Sequence, residues 1–211
     1  MKYPSTIILF MHGTHGNFLK TFWQLHNNIK IKPINDKGES FTDMDWWYNL
    51  ENHKVLDNAE DFEILHIWHE YMTKWPSKFY YIDFKENIVP EIMVMLEHKH
   101  QLLSRPERAM EDLKKIMGDK LVEKIFKEKN YKTILQNLYY RSKEKFTNQP
   151  GIEKIDITEL YNFDSFVNLL KKLNIYNVKN QAVIKSRWLQ FYEKNKEFIV
   201  KIQNKYTDEN K

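Results

Sequence analysis

Two glycines and two histidines alternate within IILFMHGTHGNFLK, residues 7–20. The chain has only five glycines in 211 residues, where average usage would give about fifteen. Gly13 and Gly16 follow an apolar run directly, with Thr14, His15 and Asn17 between and beside them and Lys20 one helical turn on. A glycine turn at the start of a helix can converge several backbone N–H groups on one point, where the helix dipole also favours negative charge. Phosphate or sulfate suits such a turn, with Thr14, Asn17 and Lys20 as further donors. The same glycines could instead serve only a tight strand-to-helix connection, and the residues alone leave both readings open.

The histidines stand at 12, 15, 26, 53, 66, 69, 98 and 100. His69, followed by Glu70, falls just past an apolar run and could act as a general base toward an acceptor hydroxyl, with the carboxylate orienting its ring. His15 in the glycine turn is a second candidate for that role. His12, His15 and His69 could in principle share a metal, but neither HExxH nor a carboxylate–histidine cluster accompanies them, and no metal is expected. The absence of cysteine excludes thiol catalysis, disulfides and cysteine-ligated metals.

These residues depend on elements that the apolar pattern outlines. TIILFM (6–11) is a short continuous apolar run rich in β-branched residues, as expected of a strand buried on both faces. Phe18, Phe22, Leu25 and Ile29 then repeat at 4, 3 and 4, a helical face. FEILHIW (62–68), KFYYIDF (78–84) and IEKIDIT (152–158) are the next strand candidates. If 62–69 is a strand in a parallel sheet, His69 reaches the same carboxyl edge as the 12–16 turn, where α/β proteins hold ligands.

Residues 87–147 read as a helical segment, with Ile88, Ile92, Met95, Leu96 and Leu103 on one face. Within it, residues 105–146 carry twelve lysines and arginines against seven acids, a solvated face or a lid for an anionic substrate. Asn148-Gln149-Pro150-Gly151 breaks the pattern. Phe163, Phe166, Val167, Leu170 and Leu173 return to helical spacing, and a last long helix carries Ile184, Trp188, Phe191, Tyr192 and Ile199. Strands alternating with helices point to a single α/β domain over 1–211, three-layered, with a mostly parallel central sheet of about four strands and a helical insertion.

With 42% hydrophobic residues the chain can build a core. A net charge of +4 permits an anionic ligand without the dense basic stripe of a nucleic-acid binder. No apolar run approaches 18 residues and no signal peptide opens the chain, so a soluble, cytoplasmic protein without a membrane span is expected.

Specific phosphate loops are absent: neither GxxxxGK[ST] nor GxGxxG occurs. LFMHGTHG is similar to the oxyanion loop of α/β-hydrolases, but no serine stands in GxSxG. The strand, loop and helix of IILFMHGTHGNFLKTF resemble the opening of P-loop-type sulfotransferases. IDITELYNFDSFVNLLKKLNI resembles that family's late strand and following helix, and Ser186-Arg187-Trp188 falls where its members carry a final helix.

The resemblance implies phosphoadenosine phosphosulfate as cofactor and in-line transfer of a sulfuryl group to a hydroxyl or amine of a small-molecule or glycan acceptor. Gly13, Thr14, His15, Gly16, Asn17, Lys20 and Lys85 would contact the donor, and His69 or His15 would take the acceptor's proton. Three departures stand against it. The family's loop lysine has no equivalent before the glycine. The strand FYYIDF ends in Asp83-Phe84-Lys85 rather than arginine, with Met93 instead of serine eight residues beyond Lys85. The glycine-rich C-terminal loop is missing. They favour an alternative, a non-catalytic protein that keeps the anion turn for a nucleotide or a partner protein.

Overall fold

The computed structural model describes residues 5–11, 13–27, 62–66, 76–100 and 148–208, together with residues 136, 137, 139, 140, 143, 144 and 146. The strand expected over 62–69 is present at Phe62–His66, and residues 67–69 lie outside the described residues. His12, His69, Glu70 and most of the basic 105–146 stretch lie outside the described residues.

The sheet is parallel throughout. Its strands are β1 (Thr6–Phe10), β2 (Phe62–His66), β3 (Lys78–Asp83) and β4 (Ile152–Asp156), in the order β2-β1-β3-β4. Ile8 stands opposite Ile64 on one side and Tyr80 on the other, and Asp83 faces Asp156 across the β3–β4 pair. The apolar run of β1 has its reason here, since Ile7, Ile8, Leu9 and Phe10 are all buried in a strand flanked on both sides. The chain leaves β1 toward β2 and leaves β3 in the opposite direction toward β4. The carboxyl ends of β1 and β3 thus border the switch point, where open parallel sheets form their crevice.

Among the described residues the complete α-helices are α1 (Gly16–His26), α2 (Val89–His100), α3 (Phe163–Lys172) and α4 (Gln181–Asp208). The ring of Phe18 in α1 stacks on Phe166 of α3 at 5.4 Å and on Phe191 of α4 at 3.9 Å. Strand β4 stops at Asp156, whose carboxylate accepts the Thr158 N–H at 2.8 Å while Glu159 accepts the Asp156 N–H at 2.9 Å. This reciprocal cap turns residues 157–160 into a short 3-10 helix, so the strand is shorter than the alternation to 158 suggests.

Helix α3 begins at Asn162, whose side chain accepts the Ser165 N–H at 3.0 Å. It ends in a Schellman turn: Ile175 N–H donates to the Leu170 carbonyl and Asn174 N–H to that of Lys171. Asn174 takes the left-handed conformation this needs, with φ 57°. The inward face of α4 comprises Ile184, Trp188, Phe191, Asn195, Phe198, Ile199 and Ile202, all at most 8% exposed.

Candidate functional site: the glycine turn and the carboxyl edge

The two glycines of the turn have different reasons. Gly13 has φ 81°, a backbone conformation that glycine adopts without steric cost. Gly16 begins α1 with its Cα against the Phe10 ring, so a Cβ there would sit 2.6 Å from both Cδ atoms. The turn is closed by its own bonds. The Met11 carbonyl accepts the Thr14 N–H at 3.1 Å and the Thr14 hydroxyl at 2.8 Å, and Thr14 is fully buried. Both polar protons of Thr14 are thus directed inward.

His15 is the N-cap of α1 and is itself left-handed, with φ 60°. Its carbonyl accepts the Phe18 N–H at 2.9 Å, and its side chain makes no capping hydrogen bond to the helix. The His15 ring meets three aromatic edges, with centroids at 5.0 Å for Phe191, 5.6 Å for Phe198 and 6.0 Å for Tyr161. Two of these belong to α4, so the last helix of the chain covers the start of the first.

The other expected donors stand on α1 and just past β3. Asn17 is the second residue of α1. Lys20 is only 5% exposed, with its ammonium 4.5 Å from the centroid of the Trp23 ring. Lys85 follows β3, and its ammonium lies 4.7 Å over the ring of Tyr206 near the end of α4. Arg187 donates to the Gln190 side chain at 3.4 Å. His15 and Lys85 thus both meet α4, through different residues.

Helix α4 therefore touches the segments leaving β1, β3 and β4. At the β4 end, Trp188 Nε1 donates to the Leu160 carbonyl at 2.9 Å. At the β3 end, the Lys85 N–H donates to the Tyr206 hydroxyl at 3.0 Å. Nearby, the Asn87 amide donates to the Lys205 carbonyl at 3.4 Å, and the Lys205 ammonium donates to the Asn87 carbonyl at 3.1 Å and to Glu91 at 2.8 Å.

Magnitudes separate the helix into two parts. Burying a large apolar side chain stabilises by about 1.5–3 kcal/mol, so Trp188, Phe191, Phe198, Ile199 and Ile202 together contribute on the order of 10 kcal/mol, comparable with the whole stability of a domain. Beyond Ile202 the helix is held by the half-buried ring of Tyr206 and by polar contacts, each worth about 1 kcal/mol. The body of α4 from Trp188 to Ile202 is a fixed part of the core, and its last turn is more lightly held.

Two more features lie along this edge. Asp83, the last residue of β3, pairs with Lys143 at 3.1 Å and accepts the Phe84 N–H at 2.9 Å. Tyr81 and Tyr161 are buried with hydroxyls that find no hydrogen-bond partner among the described residues. Burial pushes both phenols above their ordinary range; the nearby Asp83 carboxylate adds to this at Tyr81, and Tyr206 and then Asp156 at Tyr161. Among the described residues no group of three His, Asp or Glu could hold a metal ion, and no helix is long and apolar enough to cross a membrane.

No family model, curated protein or solved structure matches this chain. The arrangement at the edge must speak for itself. Sequence spacing pointed to the turn but missed Asp83, Lys143, Tyr161 and Tyr206. Of these, only Tyr206 had a legible signal, as a continuation of the α4 face one turn past Ile202.

Proposed function

We propose that this protein is a non-catalytic binding protein, with the three-layered, P-loop-like shape of a sulfotransferase and without its donor site. The observation that carries this reading is the seating of Phe191 and Phe198 against the ring of His15, which turns that candidate donor-binding side chain toward α4. A phosphate held by the His15 ring would compete with these buried apolar rings. The inward commitment of both Thr14 protons supports it further.

A second reading, sulfuryl transfer from phosphoadenosine phosphosulfate to a hydroxyl or amine, has its own support. The N-terminus of α1 carries neither a capping hydrogen bond from the His15 side chain nor an acid in its first turn, and the nearly buried Lys20 places a cation on that helix.

Thermal unfolding with adenosine 3′,5′-bisphosphate, with ATP and zinc in parallel, separates the two. A ligand at a hundred times its dissociation constant adds about 2.7 kcal/mol, or roughly 5–10 °C for a chain of this length. We expect no shift with the bisphosphate. A shift with the bisphosphate alone would overturn the non-catalytic reading in favour of transfer.

A further inference from the structure

The end of α4 differs physically from its body. Trp188, Phe191, Phe198, Ile199 and Ile202 are buried among apolar side chains, whereas in residues 203–208 the half-buried Tyr206 ring is the one apolar contact with the core and the hydrogen bonds to the β3 end of the sheet come from polar groups. These are the Tyr206 hydroxyl on the Lys85 N–H, the Lys205 ammonium on Glu91 and the Asn87 carbonyl, and the Lys205 carbonyl on the Asn87 amide. Water can replace every one of these partners, and the Lys205–Glu91 pair is already partly exposed, at 38% and 20%.

We propose that the last turn of α4, residues 203–208, is a latch that opens locally while the body of the helix stays seated, baring Lys85 and Asn87 at the carboxyl end of β3. Residues 205 and 206 engage Lys85 and Asn87 at the carboxyl end of β3, so their opening sets access to that end of the sheet. Fluctuations of this kind involve regions with few buried apolar contacts and solvent-replaceable hydrogen bonds. The proposal is independent of whether the glycine turn binds a donor.

Native-state hydrogen exchange on the full chain tests it, because Tyr206 accepts the Lys85 amide proton. The expected result is that Lys85 exchanges at least a hundredfold faster than Ile199 after correction for intrinsic rates. Tyr206→Phe, which removes the acceptor, should raise exchange at Lys85 about tenfold and leave Ile199 unchanged, as should Lys205→Met, which removes the ammonium. Equal protection of Lys85 and Ile199, or a variant that accelerates both amides together, would show that the end of α4 opens only with the whole fold and would overturn the proposal.

Discussion

Gly16 lies against the ring of Phe10, close enough that even a methyl group there would overlap both Cδ atoms. Phe10 ends β1 and Gly16 begins α1, so the contact sets how tightly the first helix turns back on its strand. Gly16→Ala should cost about 1–2 kcal/mol, the overpacking penalty less the gain in helix propensity. Thermal unfolding would show a fall of roughly 2–8 °C. Phe10→Leu in the same chain should restore part of the loss, since a smaller side chain makes room; a Gly16→Ala protein as stable as the parent would refute the close approach.

Asp83 and Lys143 form an ion pair with side chains only 20% and 15% exposed. Removing one partner leaves a charge poorly hydrated. Lys143→Met should destabilise by about 1–3 kcal/mol in urea unfolding, and adding Asp83→Asn should recover part of that. A double-mutant cycle with zero coupling would mean that the pair contributes no net attraction.

The hydroxyls of Tyr81 and Tyr161 are buried and find no hydrogen-bond partner among the described residues. Deleting such a group removes a desolvation cost without breaking a bond. Tyr161→Phe and Tyr81→Phe should each leave stability unchanged or raise it by up to about 1 kcal/mol. A loss of more than that in chemical denaturation would reveal a bound water or ligand on the hydroxyl.

The same two phenols set an alkaline limit. Both titrate above the ordinary value of 10.0 when folded, so above that pH the unfolded chain releases protons that the folded one retains. Stability is full below pH 10 and declines as pH rises beyond it. Denaturant midpoints measured from pH 8 to pH 11.5 should fall only in the upper part of the range, and less steeply in Tyr161→Phe. A slope unaltered by either Phe substitution would assign the limit to other groups.

Asn174 ends α3 with φ 57°, a conformation in which a Cβ is strained. Asn174→Ala should therefore cost about 1 kcal/mol, and Asn174→Gly should be neutral or slightly stabilising. Equal melting temperatures for the Ala and Gly variants would contradict the Schellman geometry.

Local structure was legible where one short stretch carries its own physics. TIILFM is apolar and β-branched because β1 is covered on both faces, and the glycines after it mark a turn whatever the turn does. The spacing of Phe18 and Phe22 identified the face of α1, and Phe163, Phe166 and Leu170 that of α3. Asp156 shows the limit of this reading: alternation continues through Ile157, but a side-chain cap diverts the backbone first.

The candidate site was legible as chemistry and not as surroundings. Residue types at 13–17 allow an anion because they describe donors, and they are silent on what lies above those donors. His15 meets Phe191 across 176 positions of chain (191 − 15), and Lys85 meets Tyr206 across 121. Periodicity reports which side chains share a face, because that depends on the pitch of one element. It cannot report which face meets which, because that follows from strand order, crossover direction and the packing of remote apolar surfaces. The glycine turn, the parallel strands and the apolar stripes were therefore written locally, whereas the packing of His15 against Phe191 and Phe198 of α4 arose only when distant surfaces competed for the same core.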